Sequence, residues 1–135
     1  MPFFDLKAWQ KADDLAVTVY QTTQSFPSHQ RDSLTNPMQR AAVSVAANSA
    51  EGSGRQTVAD YLRFLYIARG SLRELEYYLH LAKRLGYLNP TDYQQIAATA
   101  DETARALTGF IRFKEREAKT QKTWYIMSRA SYLVS

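Results

Sequence analysis

A chain of 135 residues has room for one hydrophobic core and not for two. Its lack of cysteine removes disulfides, thiolate metal sites and cysteine nucleophiles together. The net charge of +4 is unevenly spread: residues 103–135 carry seven basic and two acidic side chains, whereas the first 102 carry one more acid than base, so any attraction for a polyanion concentrates at the C-terminal end.

The opening MPFFDLKAWQ has no basic segment followed by an apolar run, so it does not read as a secretory leader. No window approaches the ~18 consecutive apolar residues of a membrane span, and the expected location is cytoplasmic with no membrane partner. A first helix is predicted over residues 5–25. Asp5 would cap it behind Phe4, Phe26 and Pro27 would close it, and Leu6, Trp9, Ala12, Leu15, Ala16, Val19 and Tyr20 recur at helical spacing. After a polar connection, SHQRDSLT, a second helix is predicted from Asn36 as N-cap and Pro37 at the first helical position, where a missing N–H costs nothing. Residues 40–55, RAAVSVAANSAEGSGR, are almost wholly small. Such a helix buries little area but lets another backbone come close, and its glycines, taking positive φ, would return the chain antiparallel.

The third helix is the longest, capped by Thr57 and stopped by Gly86. Tyr61, Leu65, Ala68, Leu72, Leu75, Leu79 and Ala82 step 4-3-4-3, the seam of a left-handed bundle. A second stripe of Phe64, Ile67, Ser71, Tyr78 and Leu85 makes the apolar arc wider than one core needs and implies self-association. The fourth helix is predicted from residues 89–91, Asn-Pro-Thr, to about Lys119, with Ile96, Ala97, Ala100, Ala104, Leu107 and Ile111 inward and Phe110 and Phe113 off that line. The fold class is therefore all-α, an antiparallel up-down-up-down four-helix bundle over residues 1–119. The remaining tail, 120–135, is too apolar to stay disordered and is expected to dock on the bundle or on a neighbouring subunit.

Candidate chemistry is sparse. Gly52-Ser53-Gly54-Arg55 invites a phosphate-loop reading, but that motif follows a strand and here a helix precedes it; an interhelical turn with Glu51 and Arg55 paired explains it better. Glu76 and His80 share a helix face, yet di-iron bundles need two Glu-x-x-His pairs and further glutamates, and this chain has two histidines, His29 and His80. No serine sits in a nucleophile motif with a histidine and a carboxylate. Glu51, Glu74 and Glu76 read as structural ion-pair partners of arginines such as Arg40, Arg69 and Arg73. The expectation is no catalytic residue, no metal and no cofactor. Trp124, Tyr125, Arg129 and Tyr132 form either a base-stacking surface or an apolar docking surface, while Tyr61, Tyr77, Tyr78 and Tyr87 belong to the edge of the core.

The AEGSGR block at residues 50–55 and the ARGSLRELE block at 68–76, read with Trp9, Phe26-Pro27 and the LAKRLGYL run at 81–88, resemble the 23S rRNA-intervening-sequence proteins, the S23 family. The resemblance covers roughly residues 3–117. Pro37 and Gln39 depart from it, since the family usually has Gln and Arg there. It implies an antiparallel four-helix bundle, assembled in several members as a ring of five, encoded within insertions in large-subunit ribosomal RNA or alone. A retroelement accessory protein that binds nucleic acid and a reverse transcriptase shares the fold.

The functional expectation is a non-enzymatic homo-oligomer, a pentamer by that resemblance, binding RNA or DNA through Arg105, Arg112, Lys114, Arg116, Lys119 and Lys122, each contacting phosphate. No recognition-helix or RNA-motif pattern accompanies them, so binding would be weakly sequence-specific. The alternative is a protein-interaction scaffold whose basic face meets an acidic partner.

Overall fold

The computed structural model describes residue 3 and residues 6–134, with side chains as far as residue 131. Four α-helices run in sequence: α1 (Lys7–Thr23), α2 (Asn36–Ser53), α3 (Val58–Arg84) and α4 (Pro90–Val134). Each packs on the next and α4 closes on α1, with α2 against α3 the most extensive interface, so the bundle is square in section. Among the described residues there is no strand, and no helix is long and apolar enough to cross a membrane.

The periodicities place the core. On α1, Ala8, Ala12, Leu15, Val19 and Thr23 are buried; on α3 the whole 4-3-4-3 seam is buried, together with Leu62 and Phe64. On α4, Ile96, Ala100, Leu107 and Ile111 are buried, while Ala97 and Ala104 are half-buried. Thr103 is fully buried among them and satisfies its hydroxyl by donating to the carbonyl of Thr99 at 2.9 Å. Of the second α3 stripe, Ile67 and Leu85 face solvent, as Tyr66 and Tyr77 do.

Helix ends differ in how they are satisfied. Thr57 caps α3 by accepting from the Asp60 N–H at 3.1 Å. At its other end Gly86 takes φ +81°, and the N–H groups of Gly86 and Tyr87 reach back to the carbonyls of Lys83 and Ala82, a paired closure that only a residue tolerant of left-handed backbone permits. Asn89 caps α4, accepting from the Asp92 N–H at 2.8 Å. The proposed Asp5 cap and its Phe4 neighbour lie outside the described residues, and Leu6, which precedes α1, makes no side-chain cap.

Three expectations are corrected. Asn36 is not an N-cap: the connection coils into a short 3₁₀ turn and then a π-helical turn (Arg31–Thr35) that feeds straight into α2. That turn supplies the carbonyls a cap would replace and turns Leu34 into the core. The glycines of the α2–α3 turn do not take positive φ, which among the described residues only Gly86 does. Gly52 is instead a contact point, since a Cβ there would lie 2.8 Å from Tyr61 Cδ1 and 3.1 Å from Phe64 Cβ. Finally, α4 does not stop near Lys119. No glycine or proline follows Gly109, so nothing breaks the helix, and it continues to Val134.

At 45 residues α4 is about 67 Å long, against about 40 Å for the 27 residues of α3. Its last core contact is Ala118. The segment beyond is not docked on its own bundle: residues 119–127 are exposed, forming an arm that leaves at the end where α1 begins and α2 finishes.

Candidate nucleic-acid interface

Arg105, Arg112, Arg116 and Lys119 follow one another along α4 at steps of seven, four and three residues. Those steps keep them on one face of a 3.6-residue helix, opposite the buried line of Ile96, Ala100, Thr103, Leu107 and Ile111. All four are exposed, and they span about 21 Å at 1.5 Å per residue. Arg105 is paired with Asp101 at 2.9 Å, in the open, where such a pair contributes little and exchanges readily. Among the described residues no ion pair engages Arg112, Arg116, Lys119 or Lys122. Lys122 is exposed too but lies about a quarter turn off this line, on the arm.

Lys114 does not belong to this face. Three residues after Ile111, it points back toward the bundle, and its side chain is only 17% exposed. Its ammonium donates to Glu117 at 3.0 Å and sits 4.9, 5.7 and 5.9 Å from the ring centres of Tyr61, Phe110 and Phe113. A cation held by three rings and a carboxylate is already satisfied. The helical count from Leu107 and Ile111 carries the signal: position 114 continues the core side.

The basic face gains a residue that sequence reasoning assigned only to an ion pair. Arg73 on α3 lines, with Arg105, Thr108 and Arg112, a shallow concavity of about 320 Å³ between α3 and α4. It shares Glu76 at 3.2 Å. Gly109 stands at the same place with nothing within 4 Å of where a side chain would begin, so a backbone could approach α4 closely there. Beside it Tyr66 donates to Glu115 at 2.8 Å; that hydrogen bond is the main reason the Tyr66 hydroxyl ionises above its usual range. Arg69 lies over the Tyr66 ring at 5.1 Å.

A cavity of about 450 Å³ lies where the α2–α3 turn meets α4 and includes Arg55, Tyr61, Lys114 and Glu117. Its charges are matched pairwise. Arg55 pairs with Glu51 at 2.7 Å and Asp60 at 3.6 Å and covers the Phe64 ring at 4.3 Å; Lys114 pairs with Glu117. Burial pushes the Tyr61 phenol up to about 12, leaving it protonated and inert as an acid or base near neutrality. Glu74 accepts from Tyr78, Glu76 from Arg73 and Glu51 from Arg55, so of Arg40, Arg69 and Arg73 only Arg73 pairs with one of these glutamates among the described residues. No cluster of three metal-ligating side chains occurs among the described residues. Trp124 and Tyr125 are exposed on the arm, with Arg129 5.9 Å from the Tyr125 ring; the Tyr132 side chain lies outside those described.

A closed square of four antiparallel helices with one cationic outer helix face defines a small all-α bundle protein. The sequence model of the 23S rRNA-intervening sequence proteins matches residues 4–109, and the chain belongs to that family. Among solved structures it is similar to a protein of unknown function from the S23 ribosomal protein family of Bacteroides thetaiotaomicron VPI-5482, at 26% identity and a TM-score of 0.72 over 77% of this chain and 97% of that one. Among curated proteins none matches. The family match ends at Gly109, so Arg112, Arg116, Lys119 and the arm lie beyond it.

Proposed function

We propose that this protein is a non-enzymatic homo-oligomer that binds RNA or DNA through phosphate contacts along the outer face of α4, with little sequence preference. The observation that carries this reading is the line of Arg105, Arg112, Arg116 and Lys119, with Arg73 beside it, set on one rigid helix and largely free of competing carboxylates. Phosphate contacts of this kind need only cations held at fixed spacing. Assembly as a ring of five, which the family resemblance implies, would repeat the face once per copy and raise the effective concentration of each contact. The scaffold alternative is favoured by the exposed apolar arm, a surface suited to a protein.

The test is filter binding of single-stranded and duplex RNA and DNA by the wild type and by Arg112→Glu/Arg116→Glu/Lys119→Glu. About four phosphate contacts per copy give a log–log salt slope of roughly −3 to −4. The triple variant should lose binding and keep its mass. Lys114→Gln should change affinity far less than the triple variant. No wild-type binding at low salt would remove the nucleic-acid reading and leave the scaffold.

A further inference from the structure

We propose that the α4 arm is an intermolecular clasp, its apolar turn at residues 124–127 seated in the groove between α1 and α2 of a second copy of this chain. The inference rests on the oligomeric half of the function proposed above and not on the nucleic-acid half.

The turn itself demands a partner. Trp124, Tyr125, Ile126 and Met127 are consecutive and 70, 58, 56 and 64% exposed. Four consecutive residues point to every side of a helix, so this turn is apolar all round, and helices of that kind are surrounded rather than laid on water. Its own bundle does not supply the cover, because a straight helix carries the arm away along the bundle axis.

A groove of matching character lies between α1 and α2, on the side of the bundle away from the basic α3–α4 concavity. It is about 350 Å³, with Trp9 and Val43 along it and Ala16, Ala46, Ala47 and Ala50 as its floor. Small side chains there let an incoming helix approach closely. The residues of α2 that make the family's small-residue block are thus divided: Ala42, Val45, Ser49 and Gly52 face the core, and Ala47 and Ala50 face outward.

Charge selects the occupant. Asp13 is the charged residue lining the groove, and among the described residues its carboxylate has no ion-pair partner. The arm carries Lys122 and Arg129 and has no acidic residue after Glu117. Length agrees as well: residues 119–131 extend about 20 Å, and the α1 stripe from Trp9 to Tyr20 about 17 Å. Two aromatic rings bring about 150–250 Å² each; with Ile126, Met127 and the groove surface they cover, one arm approaches the lower end of the roughly 1,200–2,000 Å² of specific interfaces.

The cysteine-free sequence makes a direct test possible. One full-length chain carries Ala47→Cys and another Met127→Cys; they are mixed and mildly oxidised. A covalent heterodimer should form, at least tenfold above a control pairing Met127→Cys with Tyr77→Cys on exposed α3. In parallel, Trp124→Asp/Met127→Asp should lower the mass by light scattering while helicity by circular dichroism falls by no more than the short arm accounts for. Lys122→Asp should weaken assembly, and Asp13→Lys in the same chain should restore it. Crosslinking no greater than the control, or an Asp variant with wild-type mass, would overturn the clasp while leaving oligomerisation by another surface intact. A wild type monomeric at all concentrations would overturn both, and loss of RNA binding alone touches neither.

Discussion

Gly52 and Gly70 offer a matched pair of substitutions with opposite expected signs. Both sit inside helices with ordinary negative φ, so replacing either by alanine raises helix propensity by about 0.5–1 kcal/mol. At Gly70 nothing lies within 4 Å of the new methyl, and the gain stands alone. At Gly52 the methyl would meet the Tyr61 ring at 2.8 Å and Phe64 Cβ at 3.1 Å. Neither is the loose end of a side chain: Tyr61 is pinned against Phe110 and Lys114, and a Cβ moves only with its helix. Forcing α2 and α3 apart costs about 1–3 kcal/mol, the usual size of overpacking. Gly52 is one residue from the end of α2, so its propensity gain is at most that of Gly70, and the difference between the variants is the steric cost plus that small shortfall. Gly52→Ala should therefore be less stable than Gly70→Ala by about 1–3 kcal/mol, on the order of 3–10 °C in Tm for a chain of this size. Urea melts followed by circular dichroism would measure it. Equal stability of the two variants would show that the α2–α3 contact yields freely, and the account of Gly52 as a packing residue would fail.

Other expectations follow from burial and capping. The Tyr61 phenol is raised from 10 to about 12 by burial, so its contribution is complete below pH 10 and lost as pH rises through 12; stability should fall over that window by on the order of 2 kcal/mol, and less in Tyr61→Phe, as seen in denaturation at pH 9 and pH 11. Ala42 is fully buried between helices, and Ala42→Leu should cost about 1–3 kcal/mol in a urea melt. Thr57→Ala removes the α3 cap and should cost about 0.5–2 kcal/mol; Thr57→Ser, which keeps the hydroxyl, should retain most of it.

The bundle was legible wherever spacing alone sets burial. The α3 seam reads directly because seven positions repeat one step pattern, and a single residue slip would expose them all. Gly52 shows where spacing and composition compete. A glycine near a turn suggests backbone freedom, yet Gly52 continues the buried series Ala42, Val45, Ser49 at the same three-and-four step, and that register decides its role. The start of α2 at Asn36 was legible, but the π-helical turn that feeds it was not, because it hides behind a polar composition. The end of α4 was obscured differently: an apolar tail implies a partner, on the bundle or on a neighbouring subunit, and composition does not show that the helix carries that tail outward unbroken. In the candidate site, charge counting pointed to α4, along which the exposed cations line up. Only the angular position of each residue separates Arg112, Arg116 and Lys119 from the sequestered Lys114.

The length of α4 also sets up a gradient in backbone opening. A free segment as short as the arm would be marginal as a helix in water, since starting a helix is the unfavourable step. Here the packed part of α4 provides that start, and the arm only propagates it, through residues such as Thr123, Trp124, Tyr125 and Ile126 that are mediocre helix formers. Its hydrogen bonds therefore open from the far end inward, each amide a little more often than the one before it. Hydrogen exchange should record slow, uniform protection up to about Ala118 and then a steady decline along residues 119–131. Whatever grips the arm would flatten that decline, turning an exchange profile into a footprint of its partner.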